Sequence, residues 1–454
     1  MSDTDTEPDT DVEADTDELA RRAERAALRL ANADEATRNE ALRSIADAIR
    51  ERESEILDAN AVDVEEAERM LAEGEYTQAL VDRLKLDETK IEEIASMVES
   101  VAAQDDPLGE TLAARELDED LELYRVAVPI GLVATVFESR PDALVQIAAL
   151  ALKSGNAVVL KGGSEASESN RVLYEAIVEA TADLPDGWAA LIEAHEEVDR
   201  LLELDDRVDL VMPRGSSEFV SYIQENTQIP VLGHTEGICH VYVDEAADLE
   251  MAEAVAFDAK VQYPAVCNAV ETLLVHESVA DAFLPGLVER YEAAGVELRG
   301  DRRTREVVDI EPATDDDWDT EYGDLELSIA VVDDVYAAVE HANDHGSKHT
   351  ESVLPEDAET AETFMTGVDA ASVFHNASTR FADGYRYGLG AEVGISTGKI
   401  HARGPVGLAG LTTYKYYLEG DGHLVASYSG EDAVPFTHRE LDGAEWTPGS
   451  LSTR

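Results

Sequence analysis

Cys239 and Cys267 are the only two cysteines in 454 residues. They form no Cys-x-x-Cys pair and follow no secretory signal, which excludes a disulfide framework or a thiolate zinc site and makes the cytoplasm the expected compartment. Long apolar runs are also missing. The longest, Ala143 to Leu152, is interrupted by Gln146 and ends at Lys153, well short of the ~20 residues of a spanning helix, so no membrane segment is expected. Positive charge is scarce: 35 basic residues, only 8 of them lysine, face 99 acidic ones, for a net charge of −64. Without a basic patch a phosphate backbone finds no partner, so nucleic-acid binding is excluded. The acids are dispersed through every segment, a surface suited to a salt-filled cytoplasm where concentrated cations screen self-repulsion. The chain reads as an enzyme of a halophile. Gly-x-Gly-x-x-Gly is absent as well, which removes the ordinary Rossmann fingerprint.

What is present is globular, with 44% hydrophobic residues and length for two or three domains. Residues 1–17 alternate acids with Thr, Ser and Pro and are expected to be a disordered acidic tail. From Asp17 to about Met97 the pattern is helical, with stripes such as Ala20, Ala23, Ala27, Leu30 and Ala41, Ile45, Ile49. Arg115 to Arg125 reads as a strand-rich excursion. Then come strand Ile130–Phe137, the apolar helix Pro141–Leu152 closed by Gly155, and strand Ala157–Leu160. The helix around 169–182, the strand Val208–Val211 and a helix around 218–226 follow. This alternation implies α/β architecture with a doubly wound parallel sheet. A second α/β region starts near Gly237, with strands at 239–243, 272–275 and 328–332. Residues beyond about Gly430 are polar and turn-rich.

The run Tyr263-Pro-Ala-Val-Cys-Asn268 sets a thiol at the mouth of an apolar strand, Thr272–Val275. Cys267 is therefore the candidate nucleophile, and Asn268 offers an amide donor beside it. Cys239, inside the run Ile238–Val243, reads as a buried inert thiol. Two loops offer phosphate sites: Lys161-Gly-Gly163-Ser164 where a strand ends, and Gly215-Ser216-Ser217 at the opening of a helix. His341, His345 and His349 imitate a metal stripe, but Gly346 ends that helix before His349, so no metal site is expected.

Five ordered blocks carry a family resemblance: Pro129 to Pro141 with Phe137-Glu-Ser-Arg-Pro141, Lys153 to Glu165, Val231 to Val243, Tyr263 to His276, and His401 to Lys415. Across residues 18 to 425 the chain resembles the γ-glutamyl phosphate reductases (glutamate-5-semialdehyde dehydrogenases) of the aldehyde dehydrogenase superfamily. The resemblance implies an aldehyde dehydrogenase-like fold. Residues 18–236 would form the cofactor domain, with an oligomerisation excursion at 112–125 that pairs with strands near 405–418. Residues 237–400 would form the catalytic domain, 401–425 the return strands that help oligomerisation, and 426–454 a polar extension.

It also implies a reaction: the thiolate of Cys267 attacks L-glutamyl 5-phosphate, phosphate leaves, and the thioester is reduced by NADPH to L-glutamate 5-semialdehyde in proline biosynthesis. Asn268 would help hold the oxyanion. Lys161, Gly163, Ser164, Gly215, Ser216 and Glu321 would hold NADP(H), Ser164 replacing the carboxylate that favours NAD. Arg140, Asn376 and Arg380 would bind substrate. A glutamate 5-kinase is the implied functional partner of a homo-oligomer. Val231 stands where hydrolytic relatives place a water-activating glutamate. Asp142 replaces an Asn of the family, and Tyr263 an Arg, which removes a positive charge near the thiol. The alternatives are another phosphorylating or CoA-acylating aldehyde dehydrogenase, or an inactive cofactor-binding regulatory paralogue.

Overall fold

Apolar strands alternating with helices between residues 130 and 226 build the expected parallel sheet. The computed structural model describes residues 10–447 apart from Ser139. Strands run in the order Ala189–Leu191, Ala157–Gly162, Leu132–Phe137, Leu210–Arg214, all parallel. Val136 lies in register with both Lys161 and Pro213. The carboxyl ends of three strands therefore finish side by side, the place where open α/β sheets bind ligands.

Helix Pro141–Lys153 is buried on nearly every side, as its apolar sequence demands, between the sheet and helices Glu35–Glu51 and Glu88–Ala103. Truncating Leu144 there would cost about 2–5 kcal/mol. Lys153, fully buried at its end, gives its ammonium to Asn39 Oδ1 at 2.8 Å and to the Ala102 carbonyl at 3.3 Å. Gly155 follows at φ +72°, the left-handed turn that releases the chain into the next strand.

Residues 10–17, expected in the acidic tail, instead begin helix Thr10–Leu30. Its Ala20, Ala23 and Ala27 stripe packs against the sheet, and Asp17 pairs with Arg200 at 2.8 Å, so helix propagates back into the acidic stretch. Residues 1–9 lie outside the described residues.

A second sheet is also entirely parallel and has seven strands: Glu311–Pro312, Glu297–Gly300, Glu326–Val332, Val270–His276, Cys239–Val243, Thr350–Leu354 and Ser372–His375, in that order. Helices Leu249–Val261 and Glu277–Ala293 cover one face, Val335–His345 and Ala358–Gly367 the other.

A third sheet is antiparallel. Strand Thr412–Glu419 pairs with Leu121–Pro129, from Thr412 opposite Pro129 to Glu419 opposite Glu122, and Leu121–Pro129 pairs with Thr111–Asp118. The expected pairing of the excursion with the return strands thus forms within one chain. The polar extension is part of the same sheet: Arg439–Glu440 adds to the edge of Thr111–Asp118, and Trp446 stacks on Tyr417 with centroids 3.9 Å apart.

Candidate active site

Cys267 sits in the turn just before strand Val270–His276, at the amino edge of the seven-stranded sheet. It faces the carboxyl ends of the four-stranded sheet across a cleft of about 560 Å³. Gly237 makes that placement possible. A methyl on Gly237 would stand 2.5 Å from the Cys267 Cα and 2.6 Å from its carbonyl carbon, so no side chain fits between the two segments. The Gly237 N–H donates to Glu321 Oε2 at 2.9 Å, which ties the cleft carboxylate to the backbone beside the thiol.

Of the residues singled out from the sequence, Cys267, Asn268, Gly215, Ser216, Glu321, Arg140 and Arg380 line this one cleft. Asn268 is buried, and its Nδ2 donates to the Ala382 carbonyl at 2.8 Å, so part of its donor capacity is engaged in fixing the cleft wall. Arg380 donates from Nε to Gln262 Oε1 at 3.0 Å.

Lys161, Gly163 and Ser164 stand at the neighbouring strand end and do not line the thiol's cleft. Burial pulls the Lys161 ammonium down from its ordinary range, and among the described residues it forms no hydrogen bond or ion pair. The Glu165 carboxylate folds back over Gly163, so close that a Cβ there would meet it. Asn376 does not line the cleft. It occupies a left-handed turn at φ +54° after strand Ser372–His375, with Nδ2 bonded to the Pro355 carbonyl at 3.1 Å, away from the cleft. Asn tolerates that conformation well.

Arg214 is the residue sequence reading passed over. It ends strand Leu210–Arg214 and lines the cleft with Arg140 and Arg380. Its Nη1 is buried without a hydrogen-bond partner. Burial lowers its pKa, with the like charge of Arg140 next in size, while Glu392, Asp142 and Cys267 work the other way. Its signal was the step from an apolar strand into Gly215-Ser216: a cation immediately before a phosphate-type loop. Tyr263 is 45% exposed. Both Arg214 and Arg380 lie within electrostatic reach of the thiol.

Four cleft carboxylates hold backbone donors: Glu138 takes the Ser216 N–H at 3.0 Å, Glu392 the Gly384 N–H at 2.8 Å, Asp383 the Arg386 N–H at 3.1 Å, and Glu321 the Gly237 N–H. Val231, half-buried, packs against the core of the four-stranded sheet and bridges Val211. His234 also lines the cleft. Its Nδ1–H donates to the Ile395 carbonyl at 2.9 Å, and burial holds its pKa below the ordinary value.

Helix Val335–His345 ends at Gly346. His345 lies 2.9 Å from Asp319, while His349 is buried beyond the helix.

The sequence matches the aldehyde dehydrogenase family over residues 8–316. It is 71% identical to a gamma-glutamyl phosphate reductase of Natronomonas pharaonis over 94% of this chain and 98% of that one. A second, from Haloquadratum walsbyi, is 68% identical over 92% and 94%. The crystal structure of gamma-glutamyl phosphate reductase from Thermotoga maritima superposes with a TM-score of 0.87 at 44% identity, covering 90% of this chain and 99% of that chain. A thiol presented by the amino edge of one parallel sheet to the carboxyl ends of another, in a chain this close to those enzymes, belongs to the gamma-glutamyl phosphate reductase branch of the aldehyde dehydrogenase family.

Proposed function

We propose that this protein reduces L-glutamyl 5-phosphate to L-glutamate 5-semialdehyde with release of phosphate, in proline biosynthesis. The observation that carries the reading is the meeting of Cys267 with Arg140, Arg214 and Arg380 in one cleft. A substrate with a carboxylate at one end and an acyl phosphate at the other brings two anionic groups, and guanidinium forks suit both.

Cys267 Sγ attacks the acyl carbon, the C–O bond to phosphate breaks, and phosphate leaves beside the arginines. The backbone N–H of Cys267 and the amide of Asn268 steady the oxyanion. With Val231 in place of a glutamate and the cleft carboxylates tied to backbone N–H groups, no carboxylate is poised to activate water, which favours exchange of the thioester with phosphate over hydrolysis.

A nicotinamide dinucleotide fits the residues present: Gly215 and Ser216 open a helix whose N-terminus favours phosphate, Lys161 has a partly desolvated ammonium without a partner, and Glu321 reaches the cleft. When bound, the cofactor supplies the hydride that reduces the thioester to the aldehyde. Ser164 is exposed and uncharged, which favours NADP(H) because it does not repel a 2′-phosphate.

No described helix is long and apolar enough to cross a membrane, and a cytoplasmic site of action follows from the charge reading. The antiparallel sheet is the proposed contact between subunits of a homo-oligomer. An acyl phosphate is labile, so a glutamate 5-kinase is the proposed functional partner.

The assay is phosphate-dependent reduction of NADP by glutamate 5-semialdehyde in molar KCl. Turnover is expected only with phosphate present. Turnover with CoA but not phosphate would instead identify an acylating enzyme.

A further inference from the structure

The thiol has two histidine neighbours that the reaction above does not use. One ligating atom each from His234, Cys267 and His349 lies within 4.8 Å of the other two. No hydrogen bond joins any two of these residues among the described ones. Three atoms so spaced share a centre no more than about 2.8 Å from each, close to the ~2.0–2.3 Å of zinc bonds to nitrogen and sulfur. Small side-chain rotations close the difference.

Both rings are already oriented for such a role. In His234, Nδ1–H donates to the Ile395 carbonyl, which leaves Nε2 as the ring nitrogen available to a metal. In His349, Nδ1 is 2.8 Å from Thr350 Oγ1 and 3.8 Å from Cys239 Sγ, while Nε2 is buried without a partner. His349 is 0% exposed. A buried ring nitrogen left unsatisfied is costly, and a bound metal ion would satisfy it. The rings meet edge to face with centroids 5.1 Å apart. Hydrogen bonds on the distal nitrogens are how metal-binding histidines are held.

We infer that His234, Cys267 and His349 form a tridentate site for a thiophilic divalent cation such as Zn²⁺, with a fourth position open to water. Binding releases the thiol proton to solvent and occupies the sulfur lone pair. It therefore shuts the enzyme off reversibly until the cation is removed. This differs from the His341, His345 and His349 stripe rejected from the sequence, since only His349 is shared. The site itself does not depend on the proposed reaction. The block on turnover rests on Cys267 being the nucleophile.

The test is a titration of the full-length chain with Co²⁺, reading the thiolate-to-metal absorption, followed by displacement with Zn²⁺. Wild type and Cys239→Ala should take up one equivalent with the thiolate band, and Cys267→Ser should lose the band. His234→Asn and His349→Gln should each weaken binding at least ~10-fold. The melting temperature reports whether each variant is folded, and iodoacetamide labelling of Cys267 adds a second check in the histidine variants. Should His349→Gln fail to fold, His234→Asn carries the comparison. Absence of stoichiometric uptake, or affinity unchanged in the folded histidine variants, overturns the site. If the metal binds as described yet turnover continues, the site stands and Cys267 is not the nucleophile.

Discussion

Gly237 packs against the backbone of Cys267 so closely that the thiol's position depends on the absence of a side chain one strand away. A Cβ on Gly237 would meet the Cα, carbonyl carbon and carbonyl oxygen of Cys267, all of them backbone atoms that cannot rotate aside. The same glycine's N–H holds Glu321.

Gly237→Ala should therefore move Cys267 rather than merely crowd it. Overpacking of this kind costs about 1–3 kcal/mol, and a displacement of about 1 Å at a nucleophile costs on the order of 100-fold in rate. Melting temperature and kcat measured together check this. A folded Gly237→Ala enzyme with wild-type kcat would refute it.

The two thiols should behave oppositely. Cys239 is fully buried, desolvation pushes its pKa well up, and it donates to the Cys267 carbonyl at 3.3 Å. Cys267→Ala should abolish turnover, whereas Cys239→Ala should retain most of it, and mass spectrometry after brief iodoacetamide treatment should find label on Cys267 alone. Equal loss of activity in both variants would contradict the assignment.

Arg214→Gln removes the guanidinium whose Nη1 has no protein partner. A hydrogen bond to a charged group contributes about 1.5–3 kcal/mol, so KM for phosphate and for the semialdehyde should rise on the order of 10- to 100-fold. Unchanged KM values would make Arg214 a purely structural cation.

Acid should destabilise the fold through buried histidines. Burial lowers His240 and His341 to about 3, against about 6.5 unfolded. Their folded values are depressed, so between pH 6.5 and 3 the unfolded chain binds protons that the native chain refuses, and stability falls as pH falls through that window. Each contributes about 2 kcal/mol of loss by pH 5. His341→Gln should lose less of its melting temperature than wild type between pH 7 and 5, and identical slopes would remove His341 as a cause.

Salt should act in the other direction. With a net charge of −64, repulsion at 0.1 M salt reaches about 10 Å, and at 1 M only about 3 Å. The melting temperature should climb steadily with KCl over that range, and a flat profile would contradict the halophilic reading.

Much of this was legible because it is local. Strand, helix and turn between residues 130 and 226 follow from periodicity, and Cys267 with Asn268, Gly215 and Ser216 from contiguous motifs whose backbone chemistry is short-range. Helix Thr10–Leu30 escaped because its first turns are acidic and hold together through Asp17 reaching Arg200, a contact between distant parts of the chain. Asn376 lies in a left-handed turn outside the cleft, and an Asn suits a turn as well as a ligand site, so its letter alone does not separate the two. The doubly wound parallel sheet, a thiol at a strand mouth and the excess of acid are readable along the chain, since each lies in composition or in runs of neighbouring residues. Which charges and rings surround the sulfur is set by folding alone. Arg140, Arg214, His234, His349 and Arg380 come from five separate segments, and their meeting at Cys267 is set by where two sheets end in space, which no spacing along the chain encodes.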